Sequence, residues 1–288
     1  MIGSDAGGVR AVVVSYCSAT TIVDCLQRLL AAPEVTEIVV VDNGSDDGTV
    51  ARVMPLAGEG SRVTLLVNAD NPGFATACNQ GARGCAQPWL AFVNPDCMVE
   101  PDSIARLLVH AREVPDVGAL GCVQVDANGV EDAAVRRRDP SLRRLLFAGG
   151  ARGALNMAND GSAMQRVDAL SGALMLMPTR AFTQVEGFDA GYRLHAEDLD
   201  LCRRLRDAGF AIAIANGVRV THLRGVSSRR RPLWVEWQKH RGLWRYFGKF
   251  EAAQTALPMR ALLWVALWAH LLVAAPRTLL RALLGEGR

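Results

Sequence analysis

The sequence predicts an α/β fold in which a mostly parallel central sheet is flanked by helices. Three observations support this prediction. Short apolar runs rich in β-branched residues recur along the first third of the chain, segments with helical spacing lie between them, and half of all residues are apolar, which excludes a disordered chain. Strands separated by helices of about ten residues are typical of parallel sheets covered on both faces.

The predicted elements follow one another in a regular order. The runs that predict strands are 9–16, 36–42, 62–68 and 89–94, and those that predict helices are 21–32, about 74–86 and the segment "PDSIARLL". Pro33 ends the first helix, and the turn "NGSDDG" is rich in residues that cap helices. A later helix is predicted over 197–209, because Gly209 stands where helices commonly end in glycine.

Composition and motifs exclude several classes of function. A net charge of +3 gives no reason to expect a nucleic-acid partner. The seven cysteines include no C-x-x-C pair, which argues against a zinc site or disulfide framework and favours buried thiols in a reducing compartment. Neither G-x-G-x-x-G after the first strand nor G-x-x-x-x-G-K-[ST] is present, so a dinucleotide dehydrogenase and a P-loop ATPase are disfavoured. Residues 1–9 lack the pattern of a signal peptide, so we expect a cytoplasmic protein.

Polar residues stand at the carboxyl ends of the predicted strands, where ligands bind in sheets of this kind. These ends are 15–16, 42–43, 68–71 and 94–96. Asp96 alone would be enough for a Mg²⁺ ion, because a cation bound to a diphosphate needs only one or two carboxylates from the protein. Two alternatives stay open: the strand ends are polar simply because they meet turns, and Asp96 caps the helix that follows.

The acidic stretch "HAEDLDLC" opens the predicted helix 197–209. Asp198 shares a helical face with apolar residues and is predicted to look into the protein, whereas Glu197 and Asp200 begin a neighbouring face with Arg204. A carboxylate in the first turn is held ionised by the helix dipole and can accept a proton at neutral pH. The alternative is an acid that only caps the helix.

Segments in order along residues 9–228 resemble the inverting glycosyltransferases of family 2, with a GT-A fold, and especially their rhamnosyltransferase-like branch. These segments are "VVVSYCSATTIVDCLQRL", "EIVVVDNGSDDGT", "NPGFATACNQGAR", "LAFVNPDCMVEPD", "SGALMLMPTRAFTQVEGFDAGY", "HAEDLDLCRRLRDAGF" and "VTHLRGVSS". The resemblance implies transfer of a sugar, with dTDP-rhamnose as the expected donor, to a hydroxyl of a glycan or lipid-linked acceptor in cell-surface polysaccharide synthesis. A sugar nucleotidyltransferase and a non-catalytic, membrane-associated GT-A-like binding protein are the alternatives.

The resemblance also implies roles for individual residues on the donor side. Those implied to bind the donor nucleotide are Ser15, Tyr16, Asp42, Asn71, Gly73, Asn79, Asn94 and Asp96. Asp96 and His222 are implied to hold Mg²⁺ or Mn²⁺. Asn94 replaces the first acid of the family's D-x-D motif, as it often does in the rhamnosyltransferase-like branch.

On the acceptor side, the resemblance implies that Asp198, beside Glu197, is the base that deprotonates the acceptor hydroxyl. Ser171 and Gly172 are implied to approach the acceptor or the donor sugar. A basic run, Arg224 and 229–231, either attracts phosphates or forms a solvated loop.

The C-terminal part differs in composition from the rest, because five of the six tryptophans lie beyond residue 225. We therefore predict a catalytic domain over 1–228 and a helical extension over 229–288. Its apolar run 261–275 has fifteen residues, fewer than the roughly 20 that a spanning helix needs. The expectation is a helix in the membrane interface, with contact through 257–284 at the cytoplasmic face of the inner membrane. Packing on the catalytic domain or in a homodimer is the alternative.

Overall fold

The computed structural model describes residues 8–141, 155–223 and 232–283. Its strands are β1 (Val9–Ser15), β2 (Val35–Asp42), β3 (Val63–Val67), β4 (Trp89–Val93), β5 (Cys97–Met98), β6 (Val117–Val125), β7 (Arg136–Arg137), β8 (Met164–Arg166), β9 (Ala169–Leu170), β10 (Leu174–Pro178) and β11 (Ala211–His222). Its α-helices are α1 (Ile22–Ala31), α2 (Thr49–Val53), α3 (Phe74–Ala82), α4 (Ser103–Glu113), α5 (Thr179–Gln184), α6 (Glu197–Asp207), α7 (Pro232–Phe250) and α8 (Leu257–Leu283).

One large sheet organises the fold, in the order β3-β2-β1-β4-β10-β6-β11-β5, with β8 beside β11. The pairs among β1 to β4 are parallel, and so is the pair of β6 with β11. Strand β10 lies antiparallel to both β4 and β6. The predicted fold class is therefore confirmed: a mostly parallel GT-A-type sheet flanked by helices, with an apolar helix at the C-terminus.

Strand β1 shows why the apolar runs form this sheet. All seven of its residues are buried, because helices cover both faces of the sheet. Val9, Ala11 and Val13 pack with α1 in one core, whereas Val12 and Val14 pack in a second core with α3 and α6. The alternation of side chains along a strand thus divides one sequence run between two hydrophobic cores.

Helix α7 is fastened to the body of the protein by ion pairs and hydrogen bonds. Lys249 binds the carboxylates of Asp189 at 3.0 Å and of the fully buried Asp200 at 2.7 Å. The hydroxyl of Tyr246 donates to Asp139 over 2.7 Å. The predicted domain boundary near residue 228, together with Arg224 and 229–231, lies outside the described residues and stays a prediction.

Helix α8 is longer than the apolar run suggested. Pro276 lies inside the helix instead of ending it, so the helix extends to Leu283. Within its segment Leu257–Leu279, a window of 18 residues has a mean hydropathy of 1.6, and only 11% of that window is buried. It is long and apolar enough to cross a membrane, judged by length and composition, and the expectation of a helix too short to span is corrected.

Candidate active site

The ends of β1 and β2 bring two predicted residues together. Ser15 stands opposite Asp42 in the parallel register, and its hydroxyl donates to Oδ2 of Asp42 over 2.8 Å. The backbone N–H and the hydroxyl of Ser45 donate to the same buried carboxylate over 2.8 and 2.6 Å. Tyr16 follows directly and is half-buried. The Asp42 carboxylate thus has three donors from the protein itself, which makes this part of the site a fixed wall.

The loop after β3 joins this wall through side-chain amides. The amide of Asn68 donates to Oδ1 of Asn43 over 2.9 Å, and the amide of Asn43 donates to Oδ1 of Asn71 over 3.4 Å. Gly73 has a φ of 103°, and a Cβ there would lie 2.7 Å from the carbonyl oxygen of Arg193. Only glycine fits this close approach, so Asn71 and Gly73 both shape the loop.

Asn79 connects α3 to the segment that precedes α6. Its amide donates to the carbonyl of Phe188 over 2.8 Å and accepts from the backbone N–H of Phe188 over 2.9 Å. These bonds give Asn79 a structural role in the described chain. Its implied contact with a nucleotide stays a prediction.

Asp96 and His222 meet where β5 pairs with β11. His222 stands opposite Cys97 in the antiparallel register, and its Nε2 lies 3.2 Å from Oδ1 of Asp96. Helix α4 begins only at Ser103, after β5, so Asp96 does not cap that helix and this alternative is excluded. The two strands bring the two implied metal ligands within reach of each other.

The donor atoms of this pair fit a divalent cation. One carboxylate and one imidazole are available, and Nδ1 of His222 is buried without a partner among the described residues. The described ranges contain no group of three or more His, Cys, Asp or Glu side chains that could hold a metal. The remaining ligands would have to come from a bound diphosphate or from water, which is the coordination that Mg²⁺ commonly accepts.

A cavity of about 500 Å³ lies beside the pair and contains the implied catalytic residues. The residues that line it are Phe74, Asn94, Ala134, Arg137, Leu155, Asn156, Ser171, Gly172, Ala173, Leu194, His195, Ala196, Glu197, Asp198, Leu199, Lys239 and Leu243. The cavity thus unites five predicted residues, from Asn94 to Asp198. Sequence reasoning missed three others, Arg137, His195 and Lys239.

Asp198 faces this cavity from the first turn of α6. Its Oδ1 accepts from the backbone N–H of Leu199 over 2.9 Å, and its Oδ2 accepts from the guanidinium of Arg137 over 3.3 Å. Asp200 is the fully buried acid of the helix, and it pairs with Arg204 over 2.6 Å. The predicted common face of Asp200 and Arg204 is confirmed, but it is Asp200 and not Asp198 that lies deepest in the protein.

Glu197 is the uncharged member of the acidic pair. Burial, reinforced by the neighbouring charge of Asp198, raises the pKa of Glu197 to about 8. Its Oε2 is buried without a partner in the described chain. Glu197 therefore carries a proton at neutral pH, and it offers the cavity a hydrogen-bond donor beside the Asp198 carboxylate.

A strained backbone presents the two acids to the cavity. His195 and Ala196 both adopt left-handed conformations, with φ of 68° and 70°. Helix α7 contacts these residues closely at Gly242, where a Cβ would lie 2.7 Å from the carbonyl oxygen of His195. Such strain persists where the surrounding structure enforces it, and it often marks functional sites. The glycine inside α7 is the one signal in the sequence that could have indicated this contact.

The sheet and the cavity beyond its strand ends define the class of the fold, which is of the GT-A type. The chain belongs to glycosyltransferase family 2, because the family model described as "Glycosyltransferase like family 2" matches residues 6–244.

Individual relatives agree with this assignment. The N-acetylglucosaminyl-diphospho-decaprenol L-rhamnosyltransferase of Mycobacterium tuberculosis is 30% identical over 270 residues, which cover 85% of each chain. The rhamnosyltransferase WbbL of Escherichia coli is 28% identical over 130 residues, which cover 44% of this chain and 49% of that protein. A mannosyltransferase of Pyrobaculum calidifontis, solved with GDP-Man and Mn²⁺, superposes with a TM-score of 0.61 at 20% identity, covering 96% of this chain and 73% of the other. This last likeness concerns the fold alone.

Proposed function

We propose that the protein transfers a sugar, with inversion at the anomeric carbon, from a nucleoside-diphosphate donor to a hydroxyl of a glycan or lipid-linked acceptor. The observation that carries this proposal is the cavity in which Asp198 and Glu197 lie together with Asn94, next to the Asp96–His222 pair. The name of the mycobacterial relative supports rhamnose as the sugar and a lipid-linked acceptor. We further propose a role in cell-wall polysaccharide synthesis. We propose dTDP-rhamnose as the donor.

Asp198 is the base in this proposal. An acceptor hydroxyl in the cavity gives its proton to the Asp198 carboxylate while its oxygen bonds to the anomeric carbon. The bond from that carbon to the diphosphate oxygen breaks, and its electron pair leaves with the nucleoside diphosphate. Because attack and departure occur on opposite faces, the configuration inverts. A positioned base of this kind contributes about 10²–10⁴-fold to the rate.

The neighbours of Asp198 suit this role. The guanidinium of Arg137 orients the carboxylate at 3.3 Å. Gly172 lies beside the base, because a Cβ built on it would be in ordinary van der Waals contact with the Cβ of Asp198, at 3.7 Å. The protonated Glu197 can donate a hydrogen bond to a sugar hydroxyl.

We propose that Asp96 and His222 hold Mg²⁺ or Mn²⁺ together with the diphosphate of the donor. These two residues would hold the ion, which when bound would supply positive charge against the negative charge that develops on the leaving diphosphate. Asn94 contributes a neutral amide where an acid would otherwise stand, which leaves Asp96 as the one carboxylate of the pair.

We propose that α8 contacts the membrane at its cytoplasmic face, where a lipid-linked acceptor would be found. The inner side of α8 packs on α7 through Leu263 and Leu267, which form a buried cluster with Phe247. Its exposed large apolar residues are Leu257, Leu262, Trp264, Val265, Leu272, Val273 and Leu279. An apolar surface of this kind favours a lipid environment, and a second copy of the chain is the alternative partner.

An assay with the purified full chain tests the proposed transfer. The chain is incubated with Mn²⁺, a panel of nucleotide sugars that includes dTDP-rhamnose, and an N-acetylglucosaminyl diphospholipid. We expect release of nucleoside diphosphate that depends on the acceptor, and a product whose anomeric configuration, read by NMR, is opposite to that of the donor. In a parallel reaction with dTTP and rhamnose 1-phosphate, release of inorganic diphosphate would instead indicate a nucleotidyltransferase. Donor binding without turnover on any acceptor would indicate a binding protein.

A further inference from the structure

Two cationic side chains line the catalytic cavity from opposite parts of the chain. Arg137 comes from β7, and Lys239 comes from α7. Most of the remaining wall is apolar, with side chains that include Phe74, Leu194 and Leu243. A cation in an apolar cavity attracts an anionic ligand more strongly than it would in water, because the local dielectric constant is lower.

The charges of both cations act on the side chain of His195, which also lines the cavity. Burial first, and then the positive charges of Lys239 and Arg137, lower the pKa of His195 to about 3. The imidazole is therefore neutral, and its Nε2 is buried without a partner among the described residues. Arg137, Lys239 and an unused imidazole nitrogen thus face one cavity, whose described lining contains no acidic residue besides Asp198 and Glu197.

The charge of Lys239 is only weakly offset within the protein. Its partner is Glu236, one turn back on α7 at 3.4 Å, and the Lys239 side chain is 45% exposed. The Glu236 side chain is only 13% exposed, but a single pair between residues three apart on a helix contributes little and gives way to a stronger ligand. Arg137 pairs with Asp198 at 3.3 Å. That carboxylate becomes neutral when it takes the proton of the acceptor hydroxyl. The cavity is then left with its two cations and with the buried Glu197, whose pKa is raised by burial.

In the proposed function, the donor's diphosphate does not neutralise the charges of Lys239 and Arg137. That diphosphate belongs with Asp96 and His222, and neither residue lines the cavity in the described chain. Asn94, however, does line it, which places the cavity directly beside the donor site. An anion bound by Lys239 would therefore have to enter with the other substrate.

We propose that Lys239 and Arg137 form a subsite for a phosphate or diphosphate group carried by the acceptor. The acceptor's sugar hydroxyl then reaches Asp198, while the apolar wall takes the beginning of the attached hydrocarbon chain. Cationic side chains bind phosphate oxygens through short, charge-assisted hydrogen bonds. The inference rests on the proposed transfer to a lipid-linked acceptor and adds the residues that select it.

Equilibrium binding tests the subsite without requiring turnover. The full chain is first saturated with dTDP and Mn²⁺, so that the donor's diphosphate position is filled. Citronellyl diphosphate, inorganic diphosphate and citronellol are then titrated against the wild type, Lys239→Gln and Arg241→Gln. Arg241 is a matched control, because it is an exposed cation on the same helix that lies over the ring of Trp237 at 5.5 Å.

We expect Lys239→Gln to weaken the binding of citronellyl diphosphate at least tenfold, with Arg241→Gln equal to the wild type. Citronellyl diphosphate should bind more tightly than either inorganic diphosphate or citronellol. Equal affinities of the two variants would overturn the proposal, and so would inorganic diphosphate binding as tightly as the prenyl compound.

A kinetic comparison separates this proposal from the proposed function. Lys239→Gln should raise the KM of a diphosphate-linked acceptor at least tenfold, leave the KM of the donor unchanged, and be rescued in part by Lys239→Arg. An acceptor with a neutral alkyl linkage should show no such effect, and an equal effect on both acceptors would contradict the subsite. If no acceptor supports turnover, the proposed transfer fails, whereas the binding titration still decides on the subsite.

Discussion

The two parts of the site that we propose to bind the donor and the acceptor, here called the donor half and the acceptor half, are built in opposite ways. In the donor half, at the ends of β1 to β3, the side chains of Ser15, Asp42, Asn43 and Asn68 bond to one another or to their neighbours. In the acceptor half, formed by β7, α6 and α7, His195 and Glu197 each leave a buried polar atom without a partner in the described chain.

This difference indicates how each half meets its substrate. A saturated hydrogen-bond network is rigid and recognises a ligand by its shape. Buried polar atoms without partners are rare in folded proteins and costly, and they point to groups that a substrate completes. The Asp96–His222 pair combines the features of both halves. Nε2 of His222 contacts Asp96, whereas its Nδ1 has no partner among the described residues. The comparison therefore predicts that the chemistry depends on the acceptor half and that the donor half supplies a fixed frame.

The largest effect that we expect, outside the base itself, is at the metal pair. Asp96→Ala should lower metal-dependent turnover about 10³-fold, because a bound cation contributes several kcal/mol of charge stabilisation. The measurement is turnover as a function of Mn²⁺ concentration. Asp102→Ala, at an exposed aspartate before α4, is the control and should behave as the wild type. Identical dependence of turnover on Mn²⁺ concentration in both variants would show that Asp96 does not hold a catalytic cation.

The next effect concerns the outer face of α8. Leu272 is 76% exposed, and Leu272→Asp should reduce the partition of the full chain onto phospholipid vesicles about 100-fold, because a charge in an apolar span costs about 2.5–3.5 kcal/mol. Val109→Asp, at a 55% exposed position on α4, is the matched control. Vesicle flotation measures both. Unchanged flotation together with loss of a dimer would show that α8 instead binds a second copy of the chain.

A smaller effect should follow from the contact between α7 and the strained loop. Gly242→Ala forces a Cβ against the carbonyl oxygen of His195 and should lower kcat/KM about tenfold by displacing Glu197 and Asp198. Gly248→Ala, on the same helix, meets nothing within 4 Å and should stabilise the protein by about 0.5–1 kcal/mol without a change in activity. Steady-state kinetics and thermal unfolding compare the two. Equal kinetics would show that α7 does not position the acids.

The smallest effect on turnover is expected at Glu197. Because Glu197 is protonated at neutral pH, Glu197→Gln should keep kcat within about tenfold of the wild type. The folded protein holds this proton more tightly than the unfolded chain, so its contribution to stability is full below the ordinary value of 4.5 and is lost as the pH rises through about 8.

Thermal unfolding between pH 5 and 8.5 checks the protonation of Glu197. The Tm of Glu197→Gln should fall less than that of the wild type over this interval. Glu59→Gln, at an exposed position, serves as the control and should follow the wild type. Parallel Tm profiles for all three proteins would mean that Glu197 is ionised throughout.

The donor half could be predicted from the sequence because its signals are local. Each β-branched run forms a strand, and parallel register then brings Ser15 to Asp42 without further information. The pairing of Asp96 with His222 could not be predicted from local patterns, because it depends on the register of β5 with β11. Only the resemblance to the family indicated it.

The acceptor half could not be predicted in the same way, because segments far apart in the chain assemble it. Arg137 and Lys239 reach the cavity from β7 and α7, and no local pattern in the sequence relates them. Gly242 is required by a tertiary contact and not by a turn. The length of α8 was missed because Pro276 lies inside the helix, where proline usually ends one.

The most direct test of the account compares donor binding and turnover in Asp198→Asn. Donor affinity is measured by calorimetry with Mn²⁺, and acceptor-dependent release of nucleoside diphosphate is measured on the same preparation. We predict that release falls about 10³-fold or more while the Kd of the donor stays within about twofold of the wild type, because Asp198 belongs to the acceptor half. Release near the wild-type rate, or a loss of donor binding as large as the loss of turnover, would contradict the account.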